Sequence, residues 1–87
     1  MSISSAQVTV GTARVYLTGA DPNPAYVHIH NNDNTKTLFL GGSDVTSSNG
    51  LHLLKEDSIE FFLHPGRGIY AVTADGTCAV SWLKQQI

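Results

Sequence analysis

AYVHIHN, residues 25–31, alternates branched apolar side chains with aromatic and imidazole side chains. Val27 and Ile29 share one face of this stretch, and Tyr26, His28 and His30 share the other. A period of two predicts a β-strand with one face in a core, since successive residues of a strand point to opposite faces. IEFFLH, residues 59–64, repeats the alternation. Both stretches therefore predict strands that are buried on one side.

Turn-forming residues interrupt the apolar stretches along the whole chain, for example DPNP at residues 21–24 and NNDN at residues 31–34. Such signals recur about every 8 to 12 residues, and no stretch of period 3.6 is long enough for a helix. We predict an all-β fold, a small antiparallel β-sandwich or barrel of about seven or eight short strands. The Asp75-Gly76 pair is predicted to turn a final hairpin.

The chain length predicts a single domain, because 87 residues cannot divide their apolar side chains between two cores. We expect one β domain over residues 1–87, in which residues 1–6 form an N-terminal arm that is flexible or bound to a partner. Charged residues make up 14% of the chain, against about 25% in typical soluble domains. A free monomer usually carries more charge for solubility. We therefore expect a homo-oligomer, with a trimer as the favoured form.

The charge and hydropathy patterns exclude several classes of partner. A net charge of -2 with five scattered basic residues gives little attraction for a phosphate backbone, so no nucleic acid partner is expected. No stretch approaches the roughly 18 apolar residues that span a bilayer, and the N-terminal residues do not resemble a signal peptide. We expect no membrane partner. Cys78 is the only cysteine, so it has no internal disulfide partner, and we expect a buried thiol.

GGSDVTSSNG, residues 41–50, has the composition of either a phosphate loop or a connection between strands. A phosphate loop needs a Lys followed by Ser or Thr and then a helix, and a nucleophile elbow needs a G-x-S-x-G frame; none of these is present. We predict a structural loop in which glycines permit positive φ and Val45 pins the loop to the core. Its residues are Gly41, Gly42, Ser43, Asp44, Val45 and Gly50.

The histidines of AYVHIHN offer a second candidate site. His28 and His30 point the same way on a strand and could hold a transition metal with His52 or His64 as a third ligand. No cysteine or carboxylate is spaced to complete the set, and no pair of acids is placed for acid–base catalysis. We therefore predict no metal, no cofactor and no catalytic residue.

Tyr26 and Phe62 fall on the faces opposite the apolar stripes of their strands. They are candidate interface residues, because a soluble monomer normally places polar groups there. An alternative is that both faces of these strands are covered inside a sandwich.

Four segments of the chain carry a family resemblance: VTVGTA (8–13), VHIHNNDNTKTLFLGGSDVTSSNGLHL (27–53), DSIEFF (57–62) and GRGIYAVTADGTCAVSWL (66–83). In this order they resemble small β-structured virion proteins of tailed bacteriophages. The resemblance implies a non-enzymatic capsid-associated protein of the decoration or head-fibre type. Its partner would be the major capsid protein or the neck, and its location the virion, after synthesis in the host cytoplasm.

A carbohydrate-binding module that holds a cell-surface glycan is the alternative function. The two functions differ in the role of Tyr26, Phe62 and Trp82. In a virion protein these rings lie in protein contacts, whereas a glycan module presents them flat and exposed to stack on a sugar.

Overall fold

A computed structural model describes residues 3–19 and 21–86, and these residues form eight β-strands and no helix. The strands are β1 (Ile3–Val10), β2 (Val15–Gly19), β3 (Ala25–Asn31), β4 (Leu38–Gly41), β5 (Leu51–Leu53), β6 (Ser58–Leu63), β7 (Gly68–Thr73) and β8 (Cys78–Gln86). A search of the same residues for a helix long and apolar enough to cross a membrane finds none. The predicted all-β class is confirmed.

The eight strands form two four-stranded antiparallel sheets. Sheet A has the order β1-β8-β3-β6, and sheet B has the order β2-β7-β4-β5. Only β4 and β5 are both consecutive in the chain and paired with each other; every other connection between the described strands crosses from one sheet to the other. This is the strand order of a jelly-roll sandwich.

The crossing connections correct one sequence prediction. Asp75-Gly76 does make a turn, with Gly76 at φ 67°. However, β7 lies in sheet B and β8 in sheet A, so the two strands do not form the predicted final hairpin. The turn carries the chain from sheet B to sheet A. The same turn-forming residues serve in a hairpin and in a connection between sheets, so they do not distinguish the two.

Residues 3–6 of the predicted N-terminal arm are the first half of β1. They pair in unbroken register with residues 82–85 of β8, and their side chains are exposed. Residues 1 and 2 lie outside the described residues. The proposal that a partner covers this segment stays a prediction.

The space between the sheets is filled by apolar side chains from all eight of the described strands. In β3, Ala25, Val27 and Ile29 point inward and are almost fully buried, as the alternation of AYVHIHN predicts. Cys78 is also fully buried, and its thiol donates to Oδ1 of Asn31 over 2.9 Å. The buried cluster consists of Val10, Leu17, Val27, Ile29, Leu38, Leu40, Leu53, Leu63, Ala71, Cys78 and Val80.

The connection between β4 and β5, residues 42–50, folds over the outer side of sheet B. Its Val45 is 2% exposed and packs against Phe39 and Val72, which point away from the main core. The N–H of Gly50 donates to the carbonyl of Thr46 over 3.0 Å, which closes the loop. The connection therefore supplies sheet B with a second, smaller apolar core.

At position 41 glycine is needed because the side chain of Val45 lies close to it, and not because the backbone is left-handed. The described glycines with positive φ are Gly19, Gly66 and Gly76, so the expectation of positive φ at Gly41 is wrong. A Cβ on Gly41 would lie 2.8 Å from Cγ2 of Val45. Val45 is β-branched and buried, so it cannot move aside easily.

We predict that Gly41→Ala lowers the free energy of unfolding by about 1 to 3 kcal/mol, the usual cost of overpacking a core. Gly42→Ala is the matched control, because the nearest atom to its Cβ would be Oδ1 of Asp44 at 3.8 Å. Urea unfolding of both variants checks the difference. Equal stability of the two variants would contradict the close-approach argument.

The turn between β3 and β4 is organised by one carboxylate. Oδ2 of Asp33 accepts hydrogen bonds from the N–H of Thr35 at 2.9 Å, the hydroxyl of Thr35 at 2.8 Å and the N–H of Lys36 at 2.7 Å. These donors stabilise the charged form, and they hold the pKa of Asp33 below its ordinary value of 3.8. The carboxylate therefore stabilises the fold while it is ionised.

We predict that Asp33→Asn reduces stability at neutral pH. A lowered carboxylate pKa contributes stability that is fully present above the ordinary value and is lost as the pH falls through the folded-state pKa. The stability difference between the native chain and Asp33→Asn should therefore be constant from pH 7 to about pH 5 and shrink below pH 4. Thermal melts across this range measure it. A difference that grows on acidification would contradict the assignment.

Candidate interaction surface

The outer face of sheet A, the side turned away from sheet B, is organised in rows of side chains that cross all four strands. The register places Ile3, Gln85, Tyr26 and Phe62 side by side in one row. Ser5, Leu83, His28 and Glu60 form the next row in the same way. Residues directly opposite each other on antiparallel strands lie close enough to make side-chain contacts.

Large apolar side chains concentrate at one end of this face. Ile3 is 64% exposed, Tyr26 49%, Leu83 44% and Phe62 41%. His64 follows β6, and its ring centroid lies 5.0 Å from that of Phe62. We call these five residues the aromatic patch. A contiguous apolar patch on a monomer surface marks a site of interaction more often than scattered apolar residues do.

The rings of the patch pack edge to face. The centroids of Tyr26 and Phe62 are 5.5 Å apart with an interplanar angle of 72°, and Phe62 and His64 meet at 85°. Rings at these angles do not form one flat platform of the kind that a sugar ring stacks on. The side chain of Trp82 points inward from β8 and packs against the main core. The geometry of all three predicted rings therefore disfavours the glycan alternative.

Formal charge is nearly absent from this face. Among the outward residues of the four described strands, Glu60 is the only Asp, Glu, Lys or Arg side chain. Apart from the aromatic patch, His28 and His30, the remaining outward positions hold small or uncharged polar residues such as Ser5, Gln7 and Ser81. Interface centres are likewise depleted in charged residues, and Tyr and Phe are enriched there.

The outer face of sheet B differs in being partly covered by the chain itself. Val45 buries Phe39 and Val72 there, and His52 packs on Phe39 with ring centroids 4.8 Å apart. No described segment covers the aromatic patch in this way: its four large apolar side chains all remain exposed. Tyr26 and Phe62 therefore lie outside the sandwich, and the alternative that both faces are buried within it is wrong.

The four histidines are distributed over both sheets. His28 and His30 share the outer face of sheet A, where Nδ1 of His30 hydrogen-bonds Oδ1 of Asn32. His52 lies in β5 of sheet B, and His64 belongs to the aromatic patch. Among the described residues, no group of three His, Cys, Asp or Glu side chains is placed to hold a metal ion.

The sequence pattern indicates Tyr26 and Phe62 as candidate interface residues and gives His64 the same parity as Phe62, but it does not indicate Ile3 or Leu83. Ile3 belongs to the predicted N-terminal arm, and Leu83 is one apolar residue in a largely apolar segment. Only the register of β1, β8 and β3 shows that Ile3 lies in the row of the aromatic pair and Leu83 in the adjacent row.

No protein-family model matches the chain, and no curated protein matches its sequence. A solved structure of a Bacillus endospore appendage, from a family of disulfide-linked pili, is similar with a TM-score of 0.68. The match covers 99% of this chain and 86% of that chain at 8% sequence identity. At this identity the similarity shows the fold, and it transfers no residue role.

Proposed function

We propose that this chain is a non-enzymatic structural protein of a virion, of the decoration or head-fibre type, that binds the capsid surface through the outer face of sheet A. The aromatic patch carries the proposal, because it exposes four large apolar side chains on a face where Glu60 is the only Asp, Glu, Lys or Arg residue of the described strands. In this proposal the major capsid protein or the neck supplies the opposing surface, and the chain itself is oligomeric.

Two further observations support an assembly role. Jelly rolls are common in viral capsid and lectin domains, so the fold suits a virion protein. The structural neighbour is a pilus of bacterial endospores, which is itself a structural assembly. The resemblance of the sequence segments to phage virion proteins is the ground for proposing the virion among such assemblies.

We predict that Phe62→Lys weakens binding to capsids prepared without this chain by more than about 30-fold, equivalent to about 2 kcal/mol. A lysine at this position loses the ring contact with Tyr26 and introduces a charge that must be desolvated in the interface. Co-sedimentation with the particles measures the affinity, and circular dichroism with thermal melting checks the fold.

Tyr16→Lys is the matched control on the opposite sheet. Tyr16 is 47% exposed and packs edge to face against Tyr70 with centroids 5.6 Å apart, close to the values for Phe62. We expect this variant to bind capsids like the native chain. Native-like binding by a folded Phe62→Lys variant would contradict the proposed surface. Glycan binding that only Phe62→Lys abolishes would instead establish the carbohydrate-binding function.

A further inference from the structure

The four strand edges of the sandwich differ in how well they could accept another strand. β5 has three residues, and the pairing of β2 is interrupted by a bulge between Tyr16 and Thr18. Short or bulged edges are poor templates for pairing. β1 has eight residues in unbroken register with β8, and it contains no charged residue and no proline. It lacks the features that normally protect an edge strand.

The opposite edge of sheet A is apolar on its inner side. Ile59 and Phe61 of β6 point inward yet remain half-buried. They border an open apolar cleft of about 310 Å³ between the sheets, which is also lined by Leu40, Gly41, Leu51 and Ile69. This edge therefore has apolar surface that a further strand would cover.

The two edges of sheet A are complementary in direction. Each strand of the sheet is antiparallel to its neighbour, so β1 and β6 run in opposite directions. If a second copy continues sheet A beyond β1 with the same strand order, its β6 lies beside β1 of the first copy and runs antiparallel to it. The free N–H and C=O groups of the two edges can then pair.

The side chains on the outer face also match. If the rows continue from one copy to the next, Ile3 lies opposite Phe62 of the second copy, and Ser5 lies opposite its Glu60. Aromatic and β-branched side chains form favourable cross-strand pairs. A slip of two residues would instead place Glu60 against Ile3, so the continued rows are the favoured register.

On the inner face, small side chains meet large ones. In the same register Ser4 lies opposite Phe61 of the second copy, and Ala6 lies opposite its Ile59. Facing positions that alternate small and large residues interdigitate without overpacking. Pairing would therefore extend the apolar inner surface at the β6 edge.

We propose that copies of this chain join head to tail, with β1 of one copy paired antiparallel to β6 of the next, so that sheet A runs on through successive copies. The inference rests on the proposed structural function and deepens it, because it names the partner as a second copy and the contact as a strand edge.

The geometry of β-sheets gives the form of the assembly. Four strands per copy advance about 19 Å at about 4.8 Å per strand, and they turn about 80 to 100° at a twist of about 20 to 25° per strand. Advance and rotation act along the same axis, so the contact repeats as a screw and does not close into a ring. Heterologous contacts that do not close generate filaments.

Engineered cysteines test the pairing in the isolated 87-residue chain. Ser5→Cys combined with Glu60→Cys should form disulfides between copies under a mild redox buffer. Within one copy, β1 and β6 are separated by three strand spacings, about 14 Å, which is beyond the reach of a disulfide. The native Cys78 is fully buried and does not compete. We expect a ladder of species larger than a dimer on non-reducing gels.

The controls separate head-to-tail pairing from other contacts. Ser5→Cys with Leu54→Cys has its second thiol after β5, outside sheet A, and should give no ladder. Gln7→Cys with Ser58→Cys lies on the next row and should reproduce the ladder. If both sheet A pairs yield no species above a dimer, the proposal is wrong. Dimers from Ser5→Cys alone, without a ladder from the double variants, would show a two-fold β1–β1 contact and also overturn it.

The outcomes also separate this inference from the proposed function. A ladder in a protein that fails to bind capsids would retain the head-to-tail contact and reject the capsid role. Capsid binding by a protein that forms no ladder would retain the capsid role and reject the head-to-tail contact.

Discussion

The side-chain amide of Asn31 links the two sheets of this protein by hydrogen bonds. Asn31 is fully buried at the end of β3 in sheet A. Its Nδ2 donates to the carbonyl oxygens of Lys36, Leu53 and Leu54, at 2.9, 3.1 and 3.2 Å. Its Oδ1 accepts from the N–H of Asp33. One amide thus joins sheet A to the β3–β4 turn and to the end of β5 in sheet B. A buried amide without partners costs about 1 to 3 kcal/mol, so this polar contact also disfavours alternative packings of the sheets.

The sequence predicted the strands better than their connections, and Asn31 shows why. Val27 and Ile29 are inward because local alternation decides which face of a strand is buried. Asn31 looked like part of the NNDN turn, and its burial depends on carbonyls more than twenty residues away in the chain. Asp75-Gly76 has the same turn chemistry whether the next strand pairs with the last one or crosses to the other sheet. The jelly-roll crossings are set by such long-range contacts, which local patterns do not contain.

The candidate surface, like the fold, was predictable only where local alternation decides which way a side chain points. Alternation placed Tyr26 and Phe62 on outward faces, and both are exposed there. The cross-strand register that joins Ile3 and Leu83 to them was not accessible, because it needs the order of four strands from different parts of the chain. Gly41 shows a further limit: composition marked it as a special backbone position, but the reason is the approach of Val45.

The two outer faces of the sandwich differ in how their apolar residues are covered. A small domain buries a limited fraction of its surface, and apolar residues outside the main core must either be covered or remain exposed. On sheet B, the β4–β5 connection supplies Val45 and covers Phe39 and Val72. On sheet A, the uncharged residues of β1 and the aromatic patch have no such cover among the described residues. A surface with few charges favours association over solubility as a monomer, so a partner or a second copy is the element that would complete sheet A as the loop completes sheet B.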